Sequence, residues 1–148
     1  MASPTVGRRS WVVVRSRYRR RMGTEPFEAV SGARHSSFGP VEIDVGTVGD
    51  ARIKRLIYPP GMRWSSDIKP LVGTEQCEHA HAGFLVEGAL RFEFDDGCTL
   101  DYVAPAVVDV APGHDAFVVG DARAVLIEVD FEGDTLARLG LPDAHRHD

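Results

Sequence analysis

The sequence has two cysteines, two lysines and no apolar run near the ~18–20 residues that a bilayer-crossing helix needs. The last absence argues against a helical membrane protein. Two thiols, Cys77 and Cys98, are too few for a disulfide framework, and no secretory signal is recognisable. The expectation is a cytoplasmic protein with both thiols reduced. Lysine is scarce because arginine replaces it, fifteen to two, a bias associated with GC-rich bacterial genomes. Helical periodicity is almost missing: only 134–139 reads as a helix, and it is short. No internal repeat is present. What remains is ordinary for a globular chain. It has 148 residues, 43% of them hydrophobic and 26% charged, enough for one domain with a real core.

Charge divides the chain unevenly. Residues 1–21 hold seven arginines and no acid, while the remainder has ten basic against twenty-two acidic residues. A basic arm can serve nucleic acid, an acidic membrane or organelle targeting. The favoured expectation is a disordered tail or an over-extended start outside the folded body. A body so acidic would repel a phosphate backbone, so a nucleic-acid partner is not expected, and neither is a membrane.

From residue 22 onward the chain alternates short apolar runs with turns. VEIDV (41–45), RIKRLIY (52–58), 82–86, ALRFEF (89–94), 98–103, 107–110, 116–119 and 124–131 read as strands, spaced about every 8–12 residues. That spacing predicts an all-β sandwich or barrel over 22–132, followed by the short helix and a frayed tail over 133–148. Glu87-Gly88 reads as the turn of a hairpin. Period two predicts Leu90, Phe92, Phe94, Val125, Ile127 and Val129 facing inward.

The stretch CEHAHAGFLVEG (77–88) carries the chemistry. Cys77, His79 and His81 alternate, so on a strand they would share one face at ~6.5–7 Å spacing. Thiolate plus imidazole suits zinc or iron better than magnesium or calcium. Gly83 has no Cβ and would leave room for a ligand. The bland alternative is an ordinary histidine-bearing strand edge beside a small buried thiol. Cys98 reads as packing, and His35, His145 and His147 as solvated. Trp64, after Gly61-Met62, reads as a plug at one end of the barrel that borders the ligand pocket.

The order Gly73, His79/His81, Gly88 and Pro112-Gly113-His114 resembles the small single-domain cupins with an RmlC-like jelly roll, over about residues 50–131. The resemblance implies a single jelly-roll β-barrel, many of whose members bind one metal inside with histidines and a carboxylate. The first cupin motif is G-x5-H-x-H, three or four residues, E, six residues, G. The second is G-x5-P-x-G-x2-H-x3-N. This chain departs from both. Anchored on Gly73, His79 and His81 fill the histidine slots. Anchored on Gly88, His81 takes the glutamate's slot, Cys77 the second histidine's and Glu75 the first. The Gly88 anchor is favoured, since turn chemistry fixes strand register. Glu87 then belongs to the turn and is not a ligand. In the second motif Ala116 stands in the histidine slot and Gly120 in the asparagine slot, while His114, two residues earlier, would point to the same face.

The resulting expectation is a metal set of Cys77, His81 and His114 with His79 in reserve, Asp115 orienting an imidazole from behind, and Glu75, Gly83 and Trp64 at the ligand pocket. The ion would be divalent Fe, Zn or Mn. The resemblance implies a homodimer and a small-molecule ligand, with dioxygenase, isomerase and decarboxylase chemistry all open. The alternative is a sensory or ligand-binding barrel without metal. A catalytic residue is not identifiable.

Overall fold

A computed structural model describes residues 27–147. The basic arm lies outside the described residues. Among the described residues nine strands run in the order β1 (Arg34–Phe38), β2 (Val41–Val48), β3 (Ala51–Tyr58), β4 (His81–Glu87), β5 (Ala89–Phe94), β6 (Thr99–Val103), β7 (Ala106–Val110), β8 (His114–Val118) and β9 (Ala124–Asp130). They form two antiparallel sheets, one ordered β1-β2-β3-β9-β4-β7 and the other β6-β5-β8. This is the all-β architecture expected from the strand spacing, in the jelly-roll form that the resemblance implies. Short helices α1 (Trp64–Asp67) and α2 (Lys69–Val72) fall between β3 and β4, and α3 (Thr135–Leu139) follows β9.

α1 and α2 were not legible because each is a single turn, too short to display a 3.6-residue period. Their local signals are nonetheless present. The Asp67 carboxylate accepts the Arg63 backbone N–H at 2.8 Å, Pro70 opens α2, and Gly73 closes it with φ +76°. The pair carries Trp64 and Ile68 into the core.

Two sequence expectations change. Glu87-Gly88 is not a hairpin turn. β4 pairs with β7 and β9, whereas β5 pairs with β6 and β8, so Gly88 is where the chain leaves one sheet for the other. Its φ is +78°, and a Cβ there would collide with the Arg123 carbonyl. The second change is in β9. Leu90, Phe92 and Phe94 are buried as expected, and so is Val125, but Ile127 and Val129 are only partly covered. The fully inward row of β9 is Ala124, Leu126, Glu128 and Asp130. Placing acids outside is the usual rule. Here β3 overturns it by supplying inward cations in register: Arg52 lies opposite Asp130, Lys54 opposite Glu128 and Leu56 opposite Leu126. The larger sheet therefore has an inner face that is apolar at one end and charged at the other. The smaller sheet's inner row of Leu90, Phe92 and Phe94 is apolar throughout.

Candidate metal and ligand site

Cys77, His81 and His114 converge inside the barrel from three places. Cys77 is not on β4. It bridges to His114 of β8, with its N–H donating to the His114 carbonyl at 2.8 Å and its own carbonyl accepting from Gly113 N–H at 2.8 Å. The chain then crosses to the larger sheet, and β4 begins at His81. The even spacing that the sequence offered for one strand face is thus realised as a step across the gap between two sheets. One ligand atom from each of the three residues lies within 4.8 Å of the others, and the His81 and His114 rings are 5.2 Å apart. Cys77 is 6% exposed and His114 wholly buried, while the His81 side chain is 12% exposed.

Each imidazole is held by its other nitrogen. Nδ1 of His114 donates to the Ala111 carbonyl at 2.7 Å, since a carbonyl can only accept. In the neutral ring this leaves Nε2 as an acceptor, and that atom is sealed from solvent with no partner. Nδ1 of His81 meets Glu128 Oε2 at 2.8 Å, and its Nε2 faces Cys77 Sγ at 3.9 Å. Glu128 in turn takes Lys54 Nζ at 2.8 Å, which also reaches Asp130 at 2.6 Å, and Asp130 is clasped by Arg52. A line of alternating charge thus runs from Arg52 to the thiol.

The electrostatics follow from this line. Burial would raise the Cys77 thiol, but the surrounding imidazoles of His114, His79 and His81 pull it down to about 3. Burial would lower His81, but Glu128 and the Cys77 thiolate lift it to about 10. Burial would raise Glu128, but His81 and Lys54 hold it at about 2. In the metal-free protein the set is therefore thiolate, imidazolium and carboxylate. Tyr58 is pushed well above the ordinary phenol range, by burial first and then by Glu128 and Cys77.

Against this cluster lies a cavity of about 430 Å³, bordered by Leu56, Tyr58, Trp64, Cys77, His81 and Glu128 among others. That volume suits a small organic ligand. A further internal space of about 50 Å³ is shared by Cys77, His81 and His114.

The remaining sequence candidates fall in different places. His79 borders the cavity but is exposed. Trp64 is part of the cavity wall. Glu75 is outside it, ion-paired with Lys69 Nζ at 2.7 Å. Gly83 does not open space for a ligand: a Cβ there would strike the Ile127 carbonyl, so this glycine lets β4 and β9 approach each other. Asp115 does not orient His114. Strand alternation turns it outward, where it accepts from Arg63 and the Ser65 N–H. The orienting groups are the Ala111 carbonyl and Glu128. Glu128 had one sequence signal, an acid at a period-two position between Leu126 and Asp130 inside AVLIEVD.

No family model matches the chain, and no curated protein does. Solved structures with which it shares a likeness include a cupin superfamily protein from Desulfitobacterium hafniense, with 14% identity, TM-score 0.43, and coverage of 65% of this chain and 81% of that one. The Clostridium difficile EutQ protein gives 12% identity and TM-score 0.43, covering 72% and 73% of the two chains. The cupin domain of Schizosaccharomyces pombe Cnp3 gives 11% identity and TM-score 0.46, covering 74% and 76%. At these values no ligand or activity passes from those proteins to this one.

Proposed function

We propose that this barrel binds a small molecule in the 430 Å³ cavity, beside one divalent ion held by Cys77, His81 and His114. The observation that carries the reading is the buried, unpartnered Nε2 of His114, which borders the same small space as Cys77 and His81. A buried acceptor with no partner costs about 1–3 kcal/mol, and an ion there would repay it. One thiolate and two imidazoles favour zinc or iron, with manganese a poorer match to sulfur. Bound there, the ion would supply Lewis acidity toward a ligand oxygen. Glu128 would hold His81 in the tautomer that presents Nε2, and Ala111 would do the same for His114. Tyr58, kept protonated by its surroundings, would donate a hydrogen bond into the cavity.

The second reading is a ligand-binding or sensory barrel without metal. It is supported by the Cys77–His81–Glu128–Lys54 chain of thiolate, imidazolium, carboxylate and ammonium, which neutralises itself without an ion. Elemental analysis of untagged protein, with His81→Ala in parallel, separates the two. One ion per barrel that disappears in His81→Ala supports the first. Folded protein whose metal content is the same with and without His81 sinks it.

The proposal extends to a homodimer. Phe84 and Val107 are opposite each other on the outer face of the larger sheet and are 61% and 68% exposed, with Ile127 on the other side of Phe84. A second copy is the proposed cover. Sedimentation should give a dimer that Phe84→Lys dissociates, and a monomer at high concentration would refute it.

A further inference from the structure

We propose that Cys98, His145 and His147 form a second metal site at one end of the barrel, which takes zinc and fastens the C-terminal segment to the β5–β6 turn. Among the described residues two groups come within ligand reach, and this is the one outside the barrel; its ligand atoms also lie within 4.8 Å of one another. Tetrahedral zinc with ~2.0–2.3 Å bonds wants its ligands about 3.3–3.8 Å apart. The movement needed is within what tail side chains can supply by rotation.

Three further observations point to an ion. Nε2 of His145 is shut off from solvent with no hydrogen-bond partner. The His145 ring is stacked on Phe94 at 4.0 Å and 17°, which fixes its plane. The Asp96 carboxylate ties the other two members together, accepting from the Cys98 N–H at 2.8 Å and meeting His147 Nε2 at 2.7 Å. An imidazole that gives one nitrogen to a carboxylate keeps the other for an ion. The donor set of one sulfur and two nitrogens selects zinc over magnesium or calcium, and a water would complete the four. Nothing in this argument depends on the barrel cluster being metal-bound.

The test is zinc binding to the untagged full chain, read as equivalents bound and as affinity against a competing chelator. Cys98→Ala should remove one equivalent, and His145→Ala should remove the same one. Both should spare any zinc that His81→Ala removes. Asp96→Asn should weaken that equivalent by about 10–100-fold. Circular dichroism should show all four variants folded. If His81→Ala does not fold, Cys77→Ser replaces it. The proposal falls if Cys98→Ala keeps the parent's stoichiometry and affinity. It falls equally if His145→Ala weakens zinc and Cys98→Ala does not, since imidazoles of the tail alone would then be responsible.

Discussion

The chain brings one cysteine and two histidines together twice, and the surroundings of the two clusters differ. In the barrel, Cys77, His81 and His114 come from both sheets and the segment between them. Each histidine's rear nitrogen is taken by a buried group, and a charged row stands behind. At the barrel end, Cys98, His145 and His147 come from a turn and a tail, and one carboxylate, Asp96, joins two of them. The two share a wall, because Phe94 stacks on His145 and meets His114 edge-on at 6.0 Å. The same residue types thus make a rigid, strongly perturbed site where strands fix them, and an adjustable one where a tail does. Sequence spacing does not distinguish the two kinds. What lies behind each imidazole does.

The largest effect expected is from removing that backing. Glu128→Ala leaves the buried His81 imidazolium with Cys77 alone and Lys54 with Asp130 alone, and breaking a buried pair on one side costs about 3–5 kcal/mol. Urea unfolding should show the loss, and metal uptake by the barrel should weaken by about 10–100-fold through the freed His81 ring. Cys98→Ala under metal-free conditions should stay within about 0.5 kcal/mol of the parent. Equal losses at both sites would erase the comparison.

The pH dependence of the metal-free chain sharpens it. Glu128 is held at about 2, below its ordinary 4.5, so its stabilisation is complete above 4.5 and is lost as pH falls toward 2. Cys77 is held at about 3 against 9.0, so its contribution grows with pH between those values. His81 is lifted to about 10 from 6.5, so its contribution is complete below 6.5 and drains away as pH rises to 10. Stability should therefore climb from pH 2 to 6.5, level between 6.5 and 9 where the thiol and imidazole oppose each other, and fall beyond. In Cys77→Ser the climb should stop near 4.5. A parent curve that is flat from 4.5 to 6.5 would show that the thiolate–imidazolium pair does not form.

Much of the architecture was readable because strands announce themselves by period and turn spacing. ALRFEF placed Leu90, Phe92 and Phe94 correctly by alternation alone. The same alternation failed in AVLIEVD, because a strand with apolar residues on both faces has two equally good registers. Only the in-register cations Arg52 and Lys54 decide between them, and pairing of β3 with β9 is a long-range fact. Gly88 was read as a hairpin because a turn residue between two apolar runs does not reveal which sheet each run joins. Cys77, His81 and His114 were nominated through the family resemblance, yet the assumed single strand face is a crossing between sheets. Glu128 and the Ala111 carbonyl were not found. One was hidden by the register error, and a backbone group has no signature in sequence. His145 read as solvated because Phe94, on which it stacks, is about fifty residues away, whereas His147 is exposed as expected, with its carboxylate partner Asp96 equally distant in sequence.

The smallest effect expected concerns Asp115, which sequence order placed behind His114. Its carboxylate accepts from Arg63 Nε at 3.0 Å and the Ser65 N–H at 2.9 Å, and Arg63 also holds Glu93 at 2.5 Å. Asp115→Asn keeps the shape and an acceptor oxygen for Ser65, while Glu93 keeps Arg63 paired. The Arg63 side chain is 38% exposed, so water and salt already screen the pair, and the change in stability should be about 1 kcal/mol or less. Metal uptake by the barrel should not change, because His114 is oriented by Ala111 through Nδ1 and not by its neighbour in the chain. Zinc affinity measured for Asp115→Asn and Glu128→Gln side by side decides this. A parent-like Asp115 variant beside a weakened Glu128 variant fits the arrangement. Weakening in the Asp115 variant as large as in the other would mean that adjacency in sequence carried the orientation after all.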